Sequence, residues 1–148
     1  LKYIRSKKKK GCIFCAAANN KTSSGVILKT EHSVALLNIF PYNNGHIMVA
    51  PLRHAKDLSF LNEDEHKDLW EAVLKIQGAL KKTLEPQGYN IGLNIGTAAG
   101  AGIPGHIHVH VVPRWNGDTN FMPVISDTKV ISQSLSELEK RLKRCLTK

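Results

Sequence analysis

Gly105-His106-Ile107-His108-Val109-His110-Val111-Val112-Pro113-Arg114-Trp115 sets three imidazoles at every second position of a run whose intervening members are β-branched aliphatics. Period-two alternation in residues that favour extended backbone reads as a β-strand over residues 106–112. Such a strand projects all three rings from one face, about 6.6 Å apart for each second residue. A strand that needed only a polar face would use Lys, Glu or Thr, which do not crowd three groups that titrate near neutrality. The pattern therefore points to chemistry on that face.

Working outward, short apolar runs predict strands at Val26-Ile27-Leu28, Ser33-Val34-Ala35-Leu36-Leu37 and His46-Ile47-Met48-Val49-Ala50, with a turn over Pro41 to Gly45. Asn62 followed by Glu65 has the spacing of a helix N-cap and its capping-box partner. From there Leu69, Val73, Ile76, Leu80 and Leu84 recur at helical intervals until Pro86-Gln87-Gly88 stops them. Tyr89 to Ile95 reads as a further strand, joined to the histidine strand by the glycine-rich stretch Gly96 to Gly105. A second helix, over about 133–147, carries Leu135, Leu138, Leu142 and Leu146. Strands in one block, a helix, two more strands and a final helix predict an α+β domain with a mostly antiparallel five-stranded sheet and two helices.

The pattern His-apolar-His-apolar-His-apolar-apolar resembles the signature of the histidine triad family of nucleotidyl hydrolases and transferases. Asn38-Ile39-Phe40-Pro41-Tyr42-Asn43-Asn44-Gly45-His46, then Met48-Val49-Ala50-Pro51, and Asn94-Ile95-Gly96 ahead of the triad fit the same family. The resemblance spans about residues 11–125. It implies the family's fold, a single domain over 11–148 behind a basic leader at 1–10, and a homodimer formed through the sheet and a helix.

Cys12 and Cys15 have the spacing with which two thiolates grasp one tetrahedral zinc from a tight turn that Gly11 would ease. A thioredoxin-like redox pair is the rival reading, but that motif belongs in a βαβ pattern, which this chain does not show. Zinc needs two more ligands. Zinc-bearing members of the resembled family place ligands at motif positions comparable to His54 and His106, and His32 is the alternative to His54. Four protein ligands would make the zinc structural, fastening the N-terminal segment to the histidine strand without activating water.

With His106 turned to the metal, His108 is the natural nucleophile, and the family resemblance implies the same role. Attack on the α-phosphorus of a nucleotide would give a covalent nucleotidyl-histidine that water or another acceptor resolves. His110 would donate to phosphate oxygens and the leaving group, and His46 would support the site. Asn38 matches the residue that family members use on ribose hydroxyls, although a turn-forming Asn before Pro41 reads equally well. Asn94 and the loop through Gly100, Gly102 and Gly105 would bring backbone N–H groups to the phosphates.

Ala99-Gly100-Ala101-Gly102-Ile103-Pro104-Gly105 lacks the Gln and hydroxyl of the diadenosine triphosphate hydrolase branch. Together with Pro113-Arg114-Trp115-Asn116-Gly117-Asp118-Thr119-Asn120-Phe121-Met122-Pro123 it looks like the branch of prokaryotic diadenosine tetraphosphate phosphorylases, in which inorganic phosphate accepts the nucleotidyl group. Arg114 could bind that second anion or pair with Asp118. The alternatives are hydrolysis of dinucleoside polyphosphates or adenosine phosphoramidates, and a nucleotide sensor without turnover.

At 148 residues with 42% hydrophobic content the chain is long enough for one well-buried core. No apolar run reaches membrane-spanning length and none follows the basic N-terminus as a signal peptide requires, so a cytoplasmic protein is expected. The net charge of +9 suits polyanionic ligands. Part of it lies in Lys7 to Lys10 and the C-terminal helix, and such runs read as solvated surface more than as nucleic-acid sites.

Overall fold

A computed structural model of the chain describes residues 11–119 and 133–147. The basic leader and the Asn120 to Pro123 segment singled out above lie outside them. The strands are β1 (Val26–Lys29), β2 (Ser33–Leu37), β3 (Ile47–Pro51), β4 (Gly88–Leu93) and β5 (Val109–Arg114). They form one antiparallel sheet in the order β1-β2-β3-β5-β4, as the alternation of elements predicted. The helices are α1 (Ile13–Ala18), α2 (Glu63–Leu84) and α3 (Leu135–Leu146).

Both faces of the sheet are covered, which is why β2 and β3 are buried along their whole length. On one face Ala35, Leu37, Ile47, Val49, Val109 and Val111 pack beneath Leu69, Val73, Ile76 and Leu80 of α2 and Leu138 and Leu142 of α3. Each fully buried leucine in that layer contributes about 2 kcal/mol by leaving water. The alternate residues Val34, Leu36, Met48 and Ala50 turn to the other face and enclose Phe14 and Ala17 of α1. This second face also carries the histidines, so their side of the sheet is closed by the N-terminal segment.

Helix α2 begins with the predicted capping box: Asn62 Oδ1 accepts from the Glu65 N–H, and Glu65 Oε2 accepts from the Asn62 N–H, both at 2.9 Å. Glu63, Asp64 and Glu65 in the first turn and Lys81 and Lys82 in the last complement the helix dipole. The turn before β3 needs Gly45, whose φ is +77° and whose hypothetical Cβ would lie 2.6 Å from Leu84 Cδ1. The helix and the turn before β3 meet at this point without room for a side chain.

The elements differ from the sequence reading most at the N-terminal helix and at the fourth and fifth strands. Helix α1 was read as a tight turn; it is short, has no side-chain cap and no acidic residue in its first turn, so it leaves no local signal. The fourth strand stops at Leu93 and not at Ile95. The histidine strand starts at Val109, three residues later than expected. Pro51 lacks the N–H that would continue the β3–β5 ladder, its carbonyl takes the His106 ring, and the Ile107 N–H bonds to Ala55 O at 2.7 Å. His106 and His108 therefore sit on the lead-in to β5.

Candidate functional site

Cys12, Cys15, His54 and His106 come together, with one donor atom from each lying within 4.8 Å of all the others. Cys12 Sγ is 3.2 Å from His106 Nδ1, and Cys15 Sγ is 3.2 Å from His54 Nδ1 and 3.6 Å from His106 Nδ1. The His106 Nε2–H donates to the Pro51 carbonyl at 2.8 Å, which leaves the Nδ1 lone pair facing the thiols. Two sulfurs and two imidazole nitrogens converging in this way could hold a metal ion, and soft thiolates with imidazole are a donor set that suits zinc. Burial holds the His106 imidazole down to about 4, with its neighbours His54 and His108 adding to the effect, so it presents a lone pair at neutral pH. Burial and the adjacent Cys12 raise the Cys15 thiol.

His54 and not His32 is the fourth member. His32 faces Glu31 at 3.8 Å, outside the cluster. The loop bearing His54 is tied down by Arg53, whose Nε and Nη2 reach the Glu65 carboxylate at 2.8 and 2.6 Å and whose Nη2 also reaches the Phe60 carbonyl. That guanidinium holds the Glu65 carboxyl down to about 2. Gly105 lies against the His54 ring, 3.5 Å from Nε2 to a Cβ built on the glycine.

Beyond the cluster the hydrogen bonds dictate the tautomers of His108, His46 and His110. His108 Nδ1 is 2.8 Å from the His106 carbonyl, which can only accept, so the proton is on Nδ1 and Nε2 keeps its lone pair. His46 Nδ1 receives the Tyr42 N–H at 3.0 Å and faces Asn38 Nδ2 at 3.3 Å, so its proton is on Nε2. That proton is given to His110 Nδ1 at 2.8 Å, which places the His110 proton on Nε2. His110 Nε2 is buried and meets no partner among the described residues. One ring thus offers a lone pair and its neighbour, 4.8 Å away between centroids, offers an unsatisfied donor.

The three triad rings are 0%, 4% and 9% exposed in order along the chain, burial that depresses the affinity of each for a second proton. Desolvation lowers His108, and desolvation followed by the proximity of His108 takes His110 to about 4. Both rings are neutral near pH 7, the form that a nitrogen nucleophile requires.

Asn38 is 9% exposed and its amide is engaged, Oδ1 with the Phe40 N–H at 2.9 Å and Nδ2 with His46. Asn94 is half-buried just past β4, and the glycine loop beyond it makes a 3-10 turn at Thr97–Ala99 flanked by positive φ at Gly96 and Gly100. Gly102 and Gly105 follow in the turn that leads to His106. Arg114 is spoken for: Nε and Nη2 grip the Asp118 carboxylate at 2.6 Å each, and Nη1 gives to Asn90 Oδ1 at 2.8 Å. Of the two partners expected for Arg114, the structure shows the Asp118 ion pair. Asp118 in turn accepts from Asn43 Nδ2 at 2.7 Å, linking this loop to the turn that delivers His46.

Two aromatic rings in the site were not anticipated. Tyr42 lies over His46 and His110, with centroids 4.5 and 5.4 Å away, and Phe14 touches His106 and His108. The place of Phe14 between the two cysteines was the available signal; nothing local marked Tyr42.

Fold and site together define a histidine triad domain, and the chain belongs to the HIT family, whose domain model matches residues 19–117. It is 42% identical over 117 residues to the AP-4-A phosphorylase of Mycobacterium tuberculosis, an alignment covering 79% of this chain and 60% of that protein. The chain thus spans well under two thirds of that relative's length. Among solved structures it is similar to a hypothetical histidine triad nucleotide-binding protein from Sulfolobus tokodaii, with TM-score 0.75, 26% identity and 92% of each chain covered. A zinc-bound histidine triad family protein from Mycobacterium smegmatis superposes with TM-score 0.74 and 28% identity over 93% of this chain and 94% of the other.

Proposed function

We propose that this protein is a nucleotidyl transferase that cleaves dinucleoside polyphosphates, taking diadenosine tetraphosphate and inorganic phosphate to ADP and ATP. The observation that carries the reading is the paired tautomers: a His108 Nε2 lone pair beside a buried His110 Nε2–H that no described residue satisfies. The His108 nitrogen attacks the α-phosphorus, a P–N bond forms, and the P–O bond to the departing nucleotide breaks. His110 donates to the phosphoryl oxygens or to the leaving oxygen. Phosphate then displaces His108 in a second step. Asn94 and the glycine loop from Gly96 to Gly105 supply backbone N–H groups to the phosphates, and Asn38 takes the ribose hydroxyls in addition to its bonds with Phe40 and His46. The name of the Mycobacterium tuberculosis relative supports phosphate as acceptor.

The metal is read as zinc, held by Cys12, Cys15, His54 and His106. With these four protein ligands it would activate no water and would tie α1 to the lead-in of β5. A homodimer accords with the free edge of β4 and with exposed Trp70 and Leu74, one turn apart on α2. A cytoplasmic setting accords with thiols that face imidazoles and form no disulfide.

The test is the product profile from diadenosine tetraphosphate with and without phosphate, with His108→Ala as control. ADP plus ATP appearing only with phosphate supports the phosphorylase. AMP plus ATP in either condition means a hydrolase, and no turnover in the wild type shifts the reading to phosphoramidates or a nucleotide sensor.

A further inference from the structure

Phe14 is fully buried, and its ring is the common neighbour of the metal cluster and the triad. The centroid lies 5.1 Å from that of His106 at 52° and 4.9 Å from that of His108 at 36°. The residue stands between Cys12 and Cys15 on the first turn of α1, so both cluster thiols flank its backbone. Behind it Ala17, Val34, Leu36, Met48 and Ala50 form an apolar wall.

Among the described residues the His108 ring is held by one hydrogen bond, from Nδ1 to the His106 carbonyl. One bond of that kind fixes a point on the ring and leaves its plane free to swing, because the terminal torsion of a histidine has a broad profile. Two aromatic neighbours, the Phe14 ring tilted at 36° with its centroid 4.9 Å away and the His110 ring at 68° and 4.8 Å, restrict that freedom. With no exposed surface, Phe14 is a wall of the site and not a contact for the substrate.

We infer that Phe14 is a positioning residue for His108, converting the closure of the Cys12, Cys15, His54 and His106 cluster into a set direction for the nucleophilic nitrogen. The inference rests on the reading of His108 as nucleophile. It explains why a structural metal lies so near a reactive strand: α1 anchors the ring, and the ring aims the imidazole. Misdirection of a reacting atom by a fraction of an ångström is enough to cost large factors in rate.

Phe14→Ala and Phe14→Leu are compared with the wild type in the full chain, with bound zinc quantified in each preparation. Nitrogen-15 spectra at fixed neutral pH, assigned by the peaks lost in His108→Ala, report the His108 tautomer without any substrate. The wild type is expected to show the Nδ1–H form alone and Phe14→Ala a mixture of both tautomers. Turnover of diadenosine tetraphosphate is expected to fall roughly 10- to 100-fold in kcat for Phe14→Ala with KM changed less than twofold. Phe14→Leu, which refills the wall, is expected to recover most of both signals. The inference is overturned if the tautomer and kcat of Phe14→Ala match the wild type, or if kcat falls only in proportion to lost zinc. Should Phe14→Ala not fold, Phe14→Leu decides by whether its small loss lies in kcat with full zinc or is absent. A wild type inactive on this substrate would sink the proposed reaction while the tautomer measurement still judges Phe14.

Discussion

Gly45→Ala concentrates two penalties on one methyl group. The residue has φ +77°, a region in which an L side chain costs about 1–2 kcal/mol. Its Cβ would also stand 2.6 Å from Leu84 Cδ1, 3.1 Å from Leu80 Cδ2 and 3.1 Å from Pro113 Cγ. The leucine tips can shift, but the proline ring belongs to β5 and cannot rotate away, so overpacking adds about 1–3 kcal/mol. Together the loss is about 2–5 kcal/mol, a sizeable part of the roughly 5–15 kcal/mol that holds a domain folded. Chemical denaturation at constant m gives the stability change directly, and the melting temperature should fall by roughly 5–15 °C. Gly78→Ala is the control: on the same helix as Leu80 and Leu84, in ordinary helical backbone with nothing within 4 Å of its Cβ, it should stabilise by about 0.5–1 kcal/mol. A Gly45→Ala protein within about 0.5 kcal/mol of wild type, the ordinary range for innocuous surface changes, would refute the argument. Because His46 follows directly, the folded variant should also turn over more slowly.

His46→Ala removes the donor to His110 Nδ1 and frees that ring to change tautomer; kcat should drop by about 10²-fold with little change in KM, as steady-state kinetics would show. Folding stability should decline as pH falls from about 6.5 towards 4, because unfolded His110 takes up a proton near 6.5 whereas the buried ring resists until about 4. His110→Phe should make that decline shallower, with the share due to buried His106 and His108 remaining, in denaturant titrations at successive pH values. Cys15→Ser should lower zinc affinity at least tenfold in a chelator competition and lower the melting temperature, since Cys15 faces both cluster imidazoles; equal affinity in the variant would remove Cys15 from the ligand set.

Much of the site could be read because its signals are local. The triad is a repeat of period two, the cysteine pair has a spacing set by one turn of chain, and the Asn62 to Glu65 box closes on itself across three residues. Each depends on neighbours in sequence; the capping box stands as expected, whereas the strand reaches only His110 of the three histidines and the cysteine pair lies on a short helix. Arg114 shows the limit: the sequence left it between a bound anion and Asp118, and the pairing with Asp118 is seen only with the Asn90 and Asn43 contacts that meet it there. Helix α1 shows another, being too short and too poorly capped to announce itself before Phe14 is packed against the sheet.

The sequence by itself determined the antiparallel α+β arrangement, the family, the common face of the histidines and the four residues offered to a metal, with His32 as a rival to His54. Only the tertiary structure decided between those two, by carrying His54 on the loop that Arg53 ties to Glu65. It alone assigned the protons: Pro51 O, His106 O and the Tyr42 N–H, each brought from elsewhere on the backbone, fix which nitrogen of each ring is free. Periodicity specifies the side from which a ring projects. Its tautomer and aim depend on the atoms that face it: the backbone path sets the His106 carbonyl against His108 and the Tyr42 N–H against His46, while packing across the fold sets Pro51 against His106 and His46 against His110.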